Sequence, residues 1–219
     1  MNQEDIAKYG DELYDALTQR HTLSPLTQRV PEITIEDAYQ ISLRMVQRRV
    51  DAGEKIVGKK IGVSSKAVQE MLNVHQPDFG FLTNGMVFDN GCDMPISTRL
   101  MQPRAEGELA FRLKSDLVGP NITEDDVLAA TESVVPCFEI VDSRIENWKI
   151  KIQDTVADNA SCGLFLLGDT ETDPKGIDLS APKMTVYKND KVISEGFGSA
   201  ALGNPLTCVA WLANTLGQF

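Results

Sequence analysis

The sequence predicts a mixed α and β fold, on three observations. Apolar residues recur at helical spacing at both ends of the chain. The middle is filled by short runs that alternate or stay apolar as strands do. Asn189-Asp190, between Met184-Thr-Val-Tyr-Lys188 and Lys191-Val-Ile-Ser194, is a two-residue hairpin signal.

Ile6, Tyr9, Leu13, Ala16 and Leu17 share one face of an opening amphipathic helix. A proline-containing connector over 23–33 follows. Thr34 and Asp37 form a capping box and start a second helix that stops near Gly53. Its polar face carries Arg44, Arg48 and Arg49, read as solvated or subunit-contacting. These helices make an N-terminal helical appendage, 1–54, and 55–219 form the core domain. Ile56-Val-Gly-Lys-Lys-Ile-Gly-Val63 reads as a strand, and Ser64 or Ser65 caps a short helix reaching Leu72. Turn formers over 73–80 lead into a strand over 81–88. A strand is expected over 106–113, and Thr123 with Asp126 opens a helix to about Ser133. Val134-Val-Pro-Cys-Phe-Glu-Ile-Val141 is strand-like, and Asn204-Pro205 caps a last helix over 206–216.

At 219 residues, with 42% hydrophobic and 24% charged residues, the chain can bury one substantial core. A net charge of −11 argues against nucleic acid or an anionic membrane as partner. Cys92, Cys137, Cys162 and Cys208 are scattered without zinc spacing, and Cys137 and Cys208 look like small core residues. The N-terminus has no basic and apolar leader, and no apolar run approaches bilayer-spanning length. The expected location is cytoplasmic, with reduced thiols.

The chemistry concentrates in acids. On a strand, Glu106 and Glu108 share a face while Gly107, Leu109 and Phe111 take the other. Two carboxylates that close repel unless a cation or proton sits between them. Glu139, in an apolar strand-like run, needs a partner of its own. Three carboxylates on neighbouring strands would suit Mg²⁺ or Mn²⁺; spacing alone leaves a metal site and a solvated acidic face both open. Lys59 and Lys60 must point to opposite faces, so an exposed edge pair or an inward Lys60 balancing the acids both stand. Two histidines and no G-x-S-x-G elbow leave serine hydrolase chemistry unsupported. Gly196-Phe-Gly198 with Gly203 does not join a strand to a helix as a dinucleotide loop would.

Six motifs together resemble one family: Gly58-Lys-Lys-Ile-Gly-Val63, Val74-His-Gln-Pro-Asp-Phe-Gly80, Gln102-Pro-Arg-Ala-Glu-Gly-Glu108, Pro136-Cys-Phe-Glu139, Val141-Asp-Ser-Arg144 and Asp154-Thr-Val-Ala-Asp-Asn-Ala-Ser161. The chain is similar, from about residue 5 onward, to the 2-oxopent-4-enoate (2-hydroxypenta-2,4-dienoate) hydratases, of the fumarylacetoacetase-like superfamily. The resemblance implies an α+β fold with a mixed β-roll core and flanking helices, a divalent metal (Mg²⁺ or Mn²⁺) and a homo-oligomer. It maps metal ligands to Glu106, Glu108 and Glu139, and the active-site lysine to Lys60. Asp78 and Ser161 fall in pocket-lining segments, Asp78 as a catalytic residue that orients water and Ser161 as a substrate-binding one. The implied reaction is metal-dependent hydration of a small 2-hydroxydienoate in the meta-cleavage pathway of aromatic catabolism. Relatives continue past the last helix with further strands, so a core incomplete after Gly217-Gln-Phe219 is expected. Two alternatives stand beside the hydratase: a 2-oxo-3-hexenedioate (4-oxalocrotonate) decarboxylase, and a shortened non-catalytic subunit in complex with the pathway decarboxylase.

Overall fold

The computed structural model describes residues 1–217, so the expectation drawn on the closing Gly217-Gln-Phe219 falls partly outside the described residues. In chain order the helices are α1 (Gln3–Gln19), α2 (Leu26–Arg29), α3 (Ile35–Asp51), α4 (Lys66–Leu72), α5 (Ile96–Arg99), α6 (Glu124–Ala130), α7 (Ile152–Ala157) and α8 (Pro205–Leu216). The strands are β1 (Ile56–Gly62), β2 (Asp78–Thr83), β3 (Val87–Phe88), β4 (Arg104–Leu113), β5 (Thr131–Val141), β6 (Leu164–Leu167), β7 (Lys183–Lys188) and β8 (Lys191–Phe197). They form a β1-β2 pair, a four-stranded sheet ordered β3-β6-β5-β4, and a β7-β8 pair. The class is mixed α and β, as expected. Among the described residues no helix is long and apolar enough to cross a membrane.

The chain divides into two compact units. The first unit comprises residues 1–62, 78–106 and 139–166. The N-terminal helices belong inside it because their apolar faces and polar anchors are used there. Leu13 and Ala16 of α1 and Ile41 and Met45 of α3 are essentially inaccessible to water. The buried carboxylate of Asp154 accepts from the Thr27 amide and hydroxyl at 3.0 and 2.7 Å, which ties α2 to α7. The expected capping box is present: the Asp37 amide donates to Thr34 and the Thr34 amide to Asp37, both at 3.1 Å. The arginine face of α3 makes ion pairs within the chain while Arg44 and Arg48 stay partly exposed. Arg44 and Arg48 pair with Asp11 at 2.7 and 2.9 Å, and Arg49 pairs with Glu54 at 2.9 Å.

β1 and β2 run antiparallel with Lys60 opposite Gly80 and Gly62 opposite Asp78. Here the expected loop over 73–80 gives way early, since β2 begins at Asp78 and ends at Thr83. Phe79 stacks on Tyr39 with ring centroids 4.4 Å apart, and that burial pulls the segment into the sheet. A 3₁₀ turn, Asn84–Met86, then breaks the expected 81–88 strand before β3. It is secured by the Asn84 side chain, which accepts from the Lys55 amide at 2.8 Å.

The second unit comprises residues 63–77, 107–138 and 167–219. Its core gathers Val127, Val134, Leu179, Leu206 and Ala210, with Leu109 and Phe111 packed against it as the strand alternation required. Ser65 caps α4, accepting from the Val68 amide. α6 stops at Ala130, short of the expected Ser133, because the β-branched Thr131 already belongs to β5. The Asn189-Asp190 hairpin forms as expected, both residues at positive φ (49° and 62°). Asn204 caps α8 through the Leu206 amide at 3.0 Å, with Pro205 at its first position.

Candidate active site

Of the two adjacent lysines, Lys59 faces solvent and Lys60 turns inward. The Lys60 ammonium pairs with Glu139 Oε2 at 3.2 Å and donates to the Ala160 carbonyl at 3.0 Å. Burial works to strip its proton, but the negative charges of Glu139, Asp78 and Glu106 outweigh that and hold the lysine above its ordinary range. Glu139, on β5, and Asp78, at the head of β2, are 5% and 2% exposed. One oxygen of each, Glu139 Oε1 and Asp78 Oδ1, is buried with no hydrogen-bond partner. Burial pushes both carboxyls up, Lys60 opposing it, and the Glu106 charge pushes them further. A buried carboxylate oxygen left unsatisfied is costly, so these two oxygens are the cluster's candidates to receive a ligand.

Two glycines make room for this cluster. A Cβ on Gly62 would overlap Asp78 Oδ1 and come within 3.1 Å of Lys60 Nζ. One on Gly80 would overlap the Asn159 carbonyl and meet Cys162 Sγ at 2.8 Å.

The far wall is the 3₁₀ turn Asn159–Ser161, whose three residues have φ of 53°, 51° and 53° and include no glycine. Such backbone costs roughly 1–2 kcal/mol per residue and persists only where the surroundings hold it. The fully buried Arg144 brackets the turn: Nε contacts Asp158 Oδ1 at 2.5 Å, Nη2 the Asp158 carbonyl at 2.7 Å, and Nη1 the Cys162 carbonyl at 2.8 Å. Ser161, 4% exposed, bonds Thr155 hydroxyl to hydroxyl at 3.1 Å.

Lys60, Asp78, Glu106, Glu139 and Ser161 thus all lie in the first unit. Glu106 is exposed at the surface of the cluster whose charges it perturbs. Glu108, half-buried, belongs to the second unit, where burial and its charge push the Cys208 thiol up to about 12. Among the described residues no three His, Cys, Asp or Glu side chains form a ready-made metal group. The first unit offers instead the orphaned Glu139 Oε1 beside Glu106. That all-oxygen pair suits Mg²⁺, which commonly takes one or two carboxylates and completes its shell with water and substrate.

Sequence reading passed over Asn159, the Ala160 carbonyl, Cys162 and the two glycines. The signal was present for Asn159, inside the Asp154–Ser161 motif, where only the serine was singled out. An open depression of about 640 Å³, lined by Arg20, His21, Ser97 and Met101 among others, includes none of the cluster side chains.

No family model matches the chain. A 2-hydroxypent-2,4-dienoate hydratase of Pseudomonas putida is 64% identical over 219 residues, covering 100% of this chain and 99% of that protein. A 2-hydroxyhexa-2,4-dienoate hydratase of Comamonas testosteroni is 58% identical over 219 residues, covering 100% of this chain and 83% of that one. Among solved structures, a 4-oxalocrotonate decarboxylase from Pseudomonas putida G7, complexed with magnesium and adipate, matches with a TM-score of 0.94 at 34% identity, covering 100% of this chain and 82% of that one.

Proposed function

The chain belongs to the 2-oxopent-4-enoate (2-hydroxypenta-2,4-dienoate) hydratase family, and from that premise we propose how it adds water to 2-hydroxypenta-2,4-dienoate to give 4-hydroxy-2-oxopentanoate. This is a hydro-lyase reaction of the meta-cleavage pathway. The observation that carries the activity is the 64% identity to a dienoate hydratase across the whole chain.

The overall change is fixed by the substrate. The enol proton is lost as C5 gains one, giving an α,β-unsaturated 2-oxo acid; the oxygen of water then bonds to C4 and C3 takes a proton. Glu106 and Glu139, with Glu108 as third ligand, would hold a divalent ion, Mg²⁺ or Mn²⁺, which would supply Lewis acidity toward the 2-oxo acid. Lys60, paired with Glu139 and turned into the cluster, is placed to hold the substrate carboxylate or to transfer a proton. The raised carboxyl and free Oδ1 of Asp78 suit it to orient the incoming water and take its proton. Ser161, kept in place by Thr155, contacts the substrate. The β-roll core, a homo-oligomeric assembly and a complex with the pathway decarboxylase belong to the same proposal.

One observation favours a second reading, the decarboxylase, because the matching solved structure carries that activity. Incubation of the purified chain with Mg²⁺ or Mn²⁺ and 2-hydroxypenta-2,4-dienoate, followed by ultraviolet absorbance and product identification, tests the hydratase. Parallel incubation with 2-oxo-3-hexenedioate, monitored for CO₂, tests the alternative. An unchanged dienoate beside CO₂ release would reverse the assignment.

A further inference from the structure

The left-handed turn that receives Lys60 is fastened to β2 by one side chain. Asn159 Oδ1 accepts from the Phe81 amide at 2.8 Å, and Asn159 Nδ2 donates to the Phe81 carbonyl at 2.9 Å. One planar amide thereby satisfies both main-chain groups of a strand residue, as a neighbouring strand would. Phe81 is three residues beyond Asp78 on β2, and Gly80 between them faces Lys60 across the β1-β2 ladder. The next carbonyl after Asn159, that of Ala160, is the one Lys60 holds. Asn159 itself is 1% exposed. It is also among the few non-glycine residues that tolerate a left-handed backbone.

We propose that Asn159 is a positioning residue for the hydration: its amide locks the turn carrying the Lys60 acceptor to the strand carrying Asp78, and so sets the separation of the Lys60 ammonium from the water-orienting carboxylate. Four observations converge on this. The clamp is buried and doubly bonded. Gly80 lets the Asn159 backbone approach the strand directly. Arg144 secures both ends of the turn with its guanidinium taken up by Asp158 and the Cys162 carbonyl, so the link to the strand falls to Asn159. Lys60 and Asp78 lie on partnered strands, so a shift of β2 against the turn alters both contacts together.

The inference rests on the hydratase reading, and its test separates the two. Asn159→Gly keeps the left-handed backbone easy and removes the clamp. Asn159→Asp keeps the shape and replaces the Nδ2 donor with an oxygen facing the Phe81 carbonyl. Each is compared with wild type for kcat and KM on the dienoate, for melting temperature, and for hydrogen exchange at the Phe81 amide. In Asn159→Gly, Phe81 exchange accelerates and kcat falls roughly 10- to 100-fold, as for a catalytic pair displaced by about 1 Å. KM stays within about threefold, because binding groups remain and their alignment does not. A folded glycine variant with wild-type kcat overturns the proposal, as does a loss matched by the unfolded fraction. Should that variant not fold, the isosteric aspartate carries the same reading. A wild-type chain that does not hydrate the dienoate overturns the hydratase reading instead, while the exchange rate at Phe81 still reports on the clamp.

Discussion

Replacing Gly62 by alanine places one methyl group at the most crowded point of the site. The new carbon overlaps Asp78 Oδ1, lies 3.4 Å from Asp78 Cγ and 3.1 Å from Lys60 Nζ. The carboxylate has to withdraw by roughly 1 Å to restore ordinary van der Waals separation. Asp78 is only 2% exposed, so it can withdraw only into packed neighbours. Overpacking of this kind costs about 1–3 kcal/mol. For a chain of this size that lowers the melting temperature by roughly 2–4 °C per kcal/mol, which spans about 2–12 °C. The effect on turnover is larger in proportion, since a displacement of about 1 Å at a reacting group can cost on the order of 100-fold. Steady-state kinetics on the dienoate beside differential scanning calorimetry separates the two effects. A Gly62→Ala protein with kcat/KM within about twofold of wild type would show that Asp78 takes no part in the reaction, or that the site relaxes freely.

Three further outcomes follow from the same geometry. Asp78→Asn abolishes most turnover yet raises the melting temperature at pH 8, because a buried amide is less costly than a buried carboxylate with one oxygen unbonded. The folded pKa of Asp78 lies above its unfolded one, so the gain is full above the folded pKa, fades as pH falls from there toward the ordinary carboxylate range and is gone below it; a pH-independent gain would refute the cause given. Glu139→Gln weakens Mg²⁺ binding in titration calorimetry, and chelator treatment removes wild-type activity that Mg²⁺ or Mn²⁺ restores; an isotherm equal to wild type removes Glu139 from the ligand set. Arg144→Ala takes the guanidinium from the buried Asp158 carboxyl, leaving it only the residue-144 amide and the Ser143 hydroxyl, a loss of about 3–5 kcal/mol readable by urea denaturation, and a midpoint unchanged from wild type would contradict it.

Much of this was legible because local chemistry decided it. The Thr34/Asp37 capping box, the Asn189-Asp190 hairpin and the Asn204-Pro205 start of α8 each depend on residues within a turn of one another. The Lys59/Lys60 alternation left an exposed pair and an inward Lys60 both open, because the choice depends on acids distant in sequence. What escaped the sequence depends on distant partners. β2 begins at Asp78 rather than at Phe81 because Tyr39 stacks on Phe79 from α3. The short α2 owes its place to Asp154, whose carboxylate binds Thr27 across 127 residues of sequence. Asn159 reads as an ordinary turn residue until Phe81, 78 positions away, is seen against it.

The same long separations bear on how the molecule is made. The unit that holds the cluster is drawn from stretches 1–62, 78–106 and 139–166, and Lys60 meets the Ala160 carbonyl across 100 residues. Contacts of such high sequence separation slow folding, since loop entropy is lost before they form. On the ribosome, the first helices and Lys60 emerge well before the segment that completes them. A nascent chain paused short of residue 160 would carry exposed apolar faces and a lysine with no acceptor, a state in which holdase chaperones find their clients.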